Sequence, residues 1–241
     1  MCAICGEGCD FRAGLERAAV RCRLCQHVPP PFERAVAYGS YDGTLRELIH
    51  LLKFDQVRPV ARVLGGMLAD SLVALEPALP PGMIAVVPVP LHAQKASQRG
   101  FNQAEVIARA ALKQISRRKT GFEPARFALC GNVLVRQRAT GSQIGLTRHQ
   151  RRQNLRGAFA VNDATPIANR DVLLVDDVYT TGATASECAR VLRRAGAVHV
   201  WVATVARTLR VFNLSVTPEI HSQEESQERK WTEMNVPIGT A

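Results

Sequence analysis

Apolar positions along the chain alternate between two spacings. At 44–52, Leu45, Leu48, Ile49 and Leu52 recur at helical intervals, and Thr44 and Glu47 have the spacing of a capping box. Leu64, Leu68, Leu72 and Leu75 put one stripe on a helix over 58–75. MIAVV (83–87) is a short buried-type strand, and PVPLHAQKASQRG follows it as a loop. Asn102 and Glu105 fit a cap, and Val106, Ile107, Ala110, Ala111 and Ile115 supply one face of the next helix. CGNVLVR (130–136) predicts another strand, whereas 137–157 is polar, Arg-rich and without clear period.

VLLVD (172–176) is continuously apolar up to its acid, as a strand covered on both faces requires. Ala185, Cys188, Ala189 and Leu192 mark a helix that Gly196 is suited to end, and VHVWVATV (198–205) is the strand after it. Strands alternating with helices predict an α/β fold with a parallel sheet. PPPFERAVAYGSYDG reads as a linker into a strand and turn, because three consecutive prolines join neither a helix nor a central strand. Residues 212–241 are polar and aperiodic, which predicts a loosely ordered tail.

The chain has 241 residues, 46% of them hydrophobic, enough for one main domain with an appendage. No apolar run approaches the roughly 20 residues of a membrane span. MCAICGEGCD lacks the basic-then-apolar pattern of a signal peptide, so the expected compartment is the cytoplasm. The net charge is +10, but residues 94–157 carry fourteen Lys/Arg against two Glu. Such a stretch favours polyanions: phosphates, pyrophosphate or nucleic acid. An ordinary basic surface is the plainer reading.

Chemistry concentrates in VLLVDDVYTTGAT (172–184). In an open parallel sheet, ligands bind beyond the carboxyl ends of strands, where Asp176 and Asp177 stand. The turn into the following helix exposes backbone N–H groups and a partial positive charge that attract phosphate. Gly182 lets the backbone approach closely, and Thr180, Thr181 and Thr184 add hydroxyls. Ionised carboxylates only accept hydrogen bonds, so the acids want a donor such as a sugar hydroxyl. A ribose 5-phosphate meets both halves of the pattern. A receiver domain also carries adjacent acids after a strand, but on the first strand of its own domain and without a TTGAT turn.

These thirteen residues resemble the signature of type I phosphoribosyltransferases, which bind phosphoribosyl pyrophosphate (PRPP). The resemblance implies catalytic Asp176 and Asp177, with Val178, Tyr179, Thr180, Thr181, Gly182, Ala183 and Thr184 around the 5-phosphate. PVPLHAQKASQRGFNQAEVIA, RQRATGSQIGLTRHQRRQN and the central motif, in that order, resemble the ComF family of competence-associated proteins, over roughly residues 1–208. By that likeness Val89, Pro90, Leu91 and His92 form a pyrophosphate loop, with Lys95 and Arg99 neutralising charge. A solvated basic loop is the alternative for Lys95 and Arg99, and a hydrogen-bonded loop residue rather than a proton carrier is the reading for His92. Arg136, Arg138, Thr140, Gln143, Leu146, Arg151 and Asn154 belong to a loop that would close over substrate; the alternative is a basic surface hairpin. The implied layout is a zinc ribbon at 1–28, a linker and helical hood at 29–80, a phosphoribosyltransferase-like domain at 81–210 and a flexible tail at 211–241.

Cys2-x2-Cys5 and Cys22-x2-Cys25, sixteen residues apart, have the spacing of a tetrahedral zinc site. A disulfide pair is the rival in an oxidising compartment. Cys9 has no assigned partner, His27 is a reserve ligand, and Cys130 and Cys188 read as small core residues.

Three functions follow from the resemblance. The first is a transferase moving phosphoribosyl from PRPP, with magnesium, to a nitrogen acceptor the sequence does not select. The second is a competence component binding PRPP and single-stranded DNA, alongside the DNA-uptake machinery. Phe101, Phe122 and Phe127 are a thin set of stacking platforms for it. The third is a regulator on the same fold, which no preceding helix-turn-helix segment supports.

Overall fold

A computed structural model describes residues 1–8, 20–118, 123–139 and 147–209, and of Arg148 the backbone only. Cys9, Phe122, Thr140, Gln143, Leu146 and the tail expected from 211 onward lie outside the described residues.

Five parallel strands form the main sheet: β1 (Ala35–Ser40), β2 (Ile84–Pro88), β3 (Phe127–Leu129), β6 (Asp171–Tyr179) and β7 (Val200–Arg207), in the order β1-β7-β6-β2-β3. The expected α/β class is thus the observed one. A separate antiparallel pair joins β4 (Leu134–Arg136) to β5 (Phe159–Val161).

β6 runs through the middle of the sheet, and Val172, Leu173, Leu174 and Val175 are wholly buried, each contributing roughly 1.5–3 kcal/mol by leaving water. Side chains alternate along a strand, so β6 feeds two cores. Val172 and Leu174 pack with Cys188, Ala189 and Leu192 of α7 (Ala183–Arg194). Leu173 and Val175 pack with the Leu64–Leu68–Leu72–Leu75 stripe of α3 (Val60–Leu75) and with Ile107 and Ala111 of α5 (Gln103–Ile115). A Cβ on Gly65 would run into Ala110, so the missing side chain sets how closely α3 and α5 approach. α2 (Gly43–Lys53) lies against α3 with Ile49 and Leu52 inward. α1 (Arg23–His27) carries Cys25, and Cys22 stands at its N-cap.

Four local expectations change. The cap of α2 is Asp42, not Thr44: β1 turns at Asp42–Gly43, and the first helical bond runs from Arg46 N–H to the Asp42 carbonyl. The loop after β2 contains a short helix, α4 (Ala93–Arg99), which Gly100 ends in a left-handed conformation. The strand expected over 130–136 shrinks to its last three residues, and β3 precedes it as a separate strand. The aperiodic 137–157 stretch holds α6 (Arg148–Leu155), opened by a reciprocal Thr147–Gln150 capping box.

Candidate functional site

β6 ends at Tyr179, and Thr180, Thr181 and Gly182 turn directly into α7. Gly182 has φ +74°, and a Cβ there would collide with the Tyr179 hydroxyl. Glycine is needed both for the backbone angle and for the space. Thr181 Oγ1 accepts from Ala183 N–H at 3.4 Å, and the ladder of α7 starts with Ser186 N–H on the Gly182 carbonyl at 2.8 Å. Val178, Thr180, Thr181 and Thr184 are half-buried, while Tyr179 and Ala183 are buried. The turn therefore offers partly exposed hydroxyls at the positive end of a twelve-residue helix.

The two acids just upstream sit in different surroundings. Asp176 shares its face of β6 with the α7 side, where Arg136 and Cys188 act on it. One carboxylate oxygen accepts from Asp177 N–H at 2.9 Å. Burial, followed by the neighbouring Asp177, pushes its pKa up to about 8, against the pull of Lys53, that N–H and Arg136. At neutral pH Asp176 therefore keeps much of its proton.

Asp177 faces the other side and is buried. Its Oδ2 lies 3.0 Å from the ammonium of Lys53, the last residue of α2. Burial works against the charge on Lys53, but Asp177, Tyr41 and Asp176 outweigh it and raise its pKa. The Tyr41 hydroxyl in turn meets His50 Nε2 of α2 at 2.9 Å. Sequence reading missed Lys53. The signal was available: Lys53 follows buried Ile49 by four positions, so it continues the inward face, where a lysine requires an acid.

The segment after β2 closes a second side. Val89 N–H donates to the Val175 carbonyl at 2.8 Å, and the Asn102 side chain donates to the Val89 carbonyl at 3.0 Å while capping α5. This fixes Val89 and Pro90 beside β6. Leu91 and His92 are half-buried. His92 Nδ1 accepts from Gln94 N–H at 3.4 Å and so caps α4, a hydrogen-bonded role. Lys95 is exposed. Arg99 donates to Gln103 Oε1 at 2.7 Å and stands over the Phe54 ring at 5.9 Å, so the end of α4 packs on the end of α2.

The β4–β5 hairpin brings Arg136 alongside. It forms a backbone bridge with His92, and its guanidinium lies 5.5 Å from the Phe159 ring centroid. Burial lowers its pKa, opposed by Cys188 and Asp176. Arg138 donates to the carbonyls of Asn154 at 2.7 Å and Arg156 at 3.1 Å, tying the hairpin to the end of α6. Arg151 reaches Thr180 Oγ1 at 3.5 Å. Gly157 N–H donates to Glu187 of α7 at 2.7 Å. The fold thus brings together Asp176, Asp177, the threonine turn, Arg136 and Arg151, while Arg99 is engaged toward α5 and α2.

A second cluster lies at the N-terminus. The sulfurs of Cys2, Cys5, Cys22 and Cys25 all lie within 4.8 Å of one another. Cys5 and Cys22 Sγ are 3.6 Å apart, close to the ~3.8 Å that four ligands at ~2.3 Å from a tetrahedral ion would show. All four are free thiols. Burial opposes ionisation of Cys2, yet the backbone N–H groups of Cys22, Cys5 and Ile4 outweigh it and bring its pKa down to about 6. Burial first, and then neighbouring thiolate charge, push Cys5 up to about 12 and Cys25 higher still. A cluster in which one thiolate suppresses the next suits a cation that neutralises them together. These four cysteines can hold a metal ion such as zinc. Cys188 is buried against the sheet and Cys130 is half-buried.

No protein-family model matches the chain. Curated proteins do. DNA utilization protein YhgH of Salmonella typhi is 32% identical over 202 residues, 83% of each chain. Competence protein F of Haemophilus influenzae is 32% identical over 198 residues, 80% of this chain and 81% of that one. Competence protein ComFC of Streptococcus pneumoniae is 26% identical over 171 residues, 71% of this chain and 67% of that one. Relatives at this identity over most of both chains show that the chain belongs to the ComF family.

Proposed function

We propose that this ComF protein binds a 5-phosphorylated ribose, as PRPP, at the turn after β6, and that it serves DNA uptake in natural competence. The observation that carries the reading is the left-handed Gly182 turn with its threonine hydroxyls, opening α7 directly after Asp176 and Asp177. The 5-phosphate occupies that turn. Ribose hydroxyls donate to the acids, and the pyrophosphate lies toward Val89–His92 with Arg136 and the basic α4 region beside it. Arg151, on Thr180, closes the site from the α6 side. Zinc at Cys2, Cys5, Cys22 and Cys25 is structural in this account and takes no part in the chemistry.

Neither acid is laid out for a resident magnesium ion: Asp177 Oδ2 is taken by Lys53, and Asp176 favours its proton. Magnesium would therefore enter with the ligand's own pyrophosphate rather than on the protein's carboxylates.

In the transfer reaction the C1–oxygen bond breaks, pyrophosphate leaves with its electron pair, a nitrogen lone pair forms the new bond to C1, and the proton that nitrogen loses passes to the departing pyrophosphate. The Asp177 carboxylate, which pairs with Lys53 before the ligand arrives, supplies negative charge near the cationic carbon. The test is incubation with PRPP, magnesium and a panel of nucleobases and ammonia, following pyrophosphate release. Release with one acceptor supports transfer.

A binding role without turnover is the second reading, favoured by the net +12 of residues 94–157. Against base stacking there, Phe127 is buried and Phe101 already carries the Arg58 guanidinium at 5.2 Å. PRPP binding without release, together with salt-sensitive binding of single strands, would favour it.

A further inference from the structure

Lys53 reaches the acids from the α2 side of the sheet, and its surroundings give it two possible partners. In the free protein it meets Asp177 at 3.0 Å, with 19% of its side chain exposed. The next residue, Phe54, lies beneath Arg99, so the end of α2 is packed against the end of α4, which follows the Val89–His92 segment. A buried carboxylate oxygen covered by an ammonium is closed to a sugar hydroxyl until that ammonium moves. Lysine is the side chain suited to such a move, with a compact charge on a flexible four-carbon stem. Displaced from Asp177, the charge cannot stay buried without an anion. The adjoining Val89–His92 region is where the ligand's anionic group on C1 would lie.

We propose that Lys53 is a ligand-binding, specificity-determining residue of this site. It neutralises Asp177 in the free protein, and it turns to the pyrophosphate on C1 when a ribose hydroxyl takes the carboxylate. Pyrophosphorylated ribose is thereby selected over ribose 5-phosphate. With ribose 5-phosphate the exchange strands the ammonium; with PRPP it is paired before and after. This inference rests on the site reading given above and adds which ligand that site prefers.

The experiment is a calorimetric comparison of PRPP and ribose 5-phosphate binding, with magnesium, to the full chain and to Lys53→Gln and Lys53→Arg. The full chain should bind PRPP more tightly. Lys53→Gln should weaken PRPP about tenfold or more, the scale of one charge-assisted hydrogen bond, and leave ribose 5-phosphate unchanged or tighter. Lys53→Arg should restore most of the preference. Equal loss for both ligands in Lys53→Gln would reduce Lys53 to a structural counter-ion and overturn the inference.

Because Lys53→Gln leaves a carboxylate buried and unpaired, a second measurement uses the unaltered chain. Lysine acylation read by mass spectrometry should label Lys53 faster with ribose 5-phosphate and more slowly with PRPP. Identical labelling in both complexes overturns the inference while leaving the site reading intact. Failure of the unaltered chain to bind either ligand overturns the site reading, and this inference with it.

Discussion

Arg207, the last residue of β7, donates to the carbonyl oxygen of Cys5 in the four-sulfur cluster. The same guanidinium lies 5.5 Å from the ring centroid of Tyr179, and its Nη2 is 3.5 Å from Glu7. A Cβ on Gly6 would collide with it. One buried cation thus joins the cysteine module to the residue whose hydroxyl shapes the Gly182 turn. Arg207→Met removes a buried cation from both Glu7 and the Cys5 carbonyl, and the expected loss is about 3–5 kcal/mol in chemical denaturation. A change below about 0.5 kcal/mol would mean that the module and the sheet are energetically independent.

The cysteine cluster predicts metal content directly. Purified full chain should carry one zinc per molecule by elemental analysis, and Cys25→Ser should lose most of it. If a bound ion ties the four sulfurs together, chelation should speed hydrogen exchange in residues 1–8 and 20–35. Unchanged exchange after verified metal removal would contradict a structural role.

Gly182→Ala tests the turn itself. At φ +74°, with the Tyr179 hydroxyl in the way, an added methyl should cost roughly 1–3 kcal/mol of stability and weaken inorganic phosphate and ribose 5-phosphate binding together. Thermal melts and calorimetry read the two effects separately.

Asp176 makes stability depend on pH with a definite sign. Its pKa is raised to about 8 in the fold, mainly by burial, against about 3.9 in an unfolded chain. Between those values the native state holds a proton the unfolded state has lost, so this group's contribution falls as pH rises from 4 toward 8. Among the described residues, Asp177, Lys53, Arg136 and Cys188 act on it. Asp176→Asn should therefore raise the melting temperature more at pH 9 than at pH 5. The reverse ordering would contradict the burial argument.

The central strand, α3, α5 and α7 were legible in the sequence, since each buries a continuous run or a single stripe and the period survives in one dimension. Leu64, Leu68, Leu72 and Leu75, or Ala185, Cys188, Ala189 and Leu192, state their own face. The three-residue strands β3 and β5 were not legible, because three positions carry no period and their pairing is set by partners far along the chain. α6 was missed despite its Thr147–Gln150 cap, because its residues are nearly all polar and its one fully buried apolar residue is Leu155. In the site, the acids and the threonine turn could be read from a contiguous motif. The pairing of Lys53 with Asp177 spans more than half the chain and needed the fold. So did the contrast between the two acids: adjacency suggested a matched pair, whereas strand alternation sends them to opposite faces.

The most direct measurement is a crystal structure of the full chain soaked with PRPP and magnesium. The account predicts density with the 5-phosphate on the Thr180–Thr184 turn and the ribose hydroxyls within hydrogen-bond reach of Asp176 and Asp177. A saturated ligand bound elsewhere, or an empty turn at a concentration that saturates binding in solution, would contradict it.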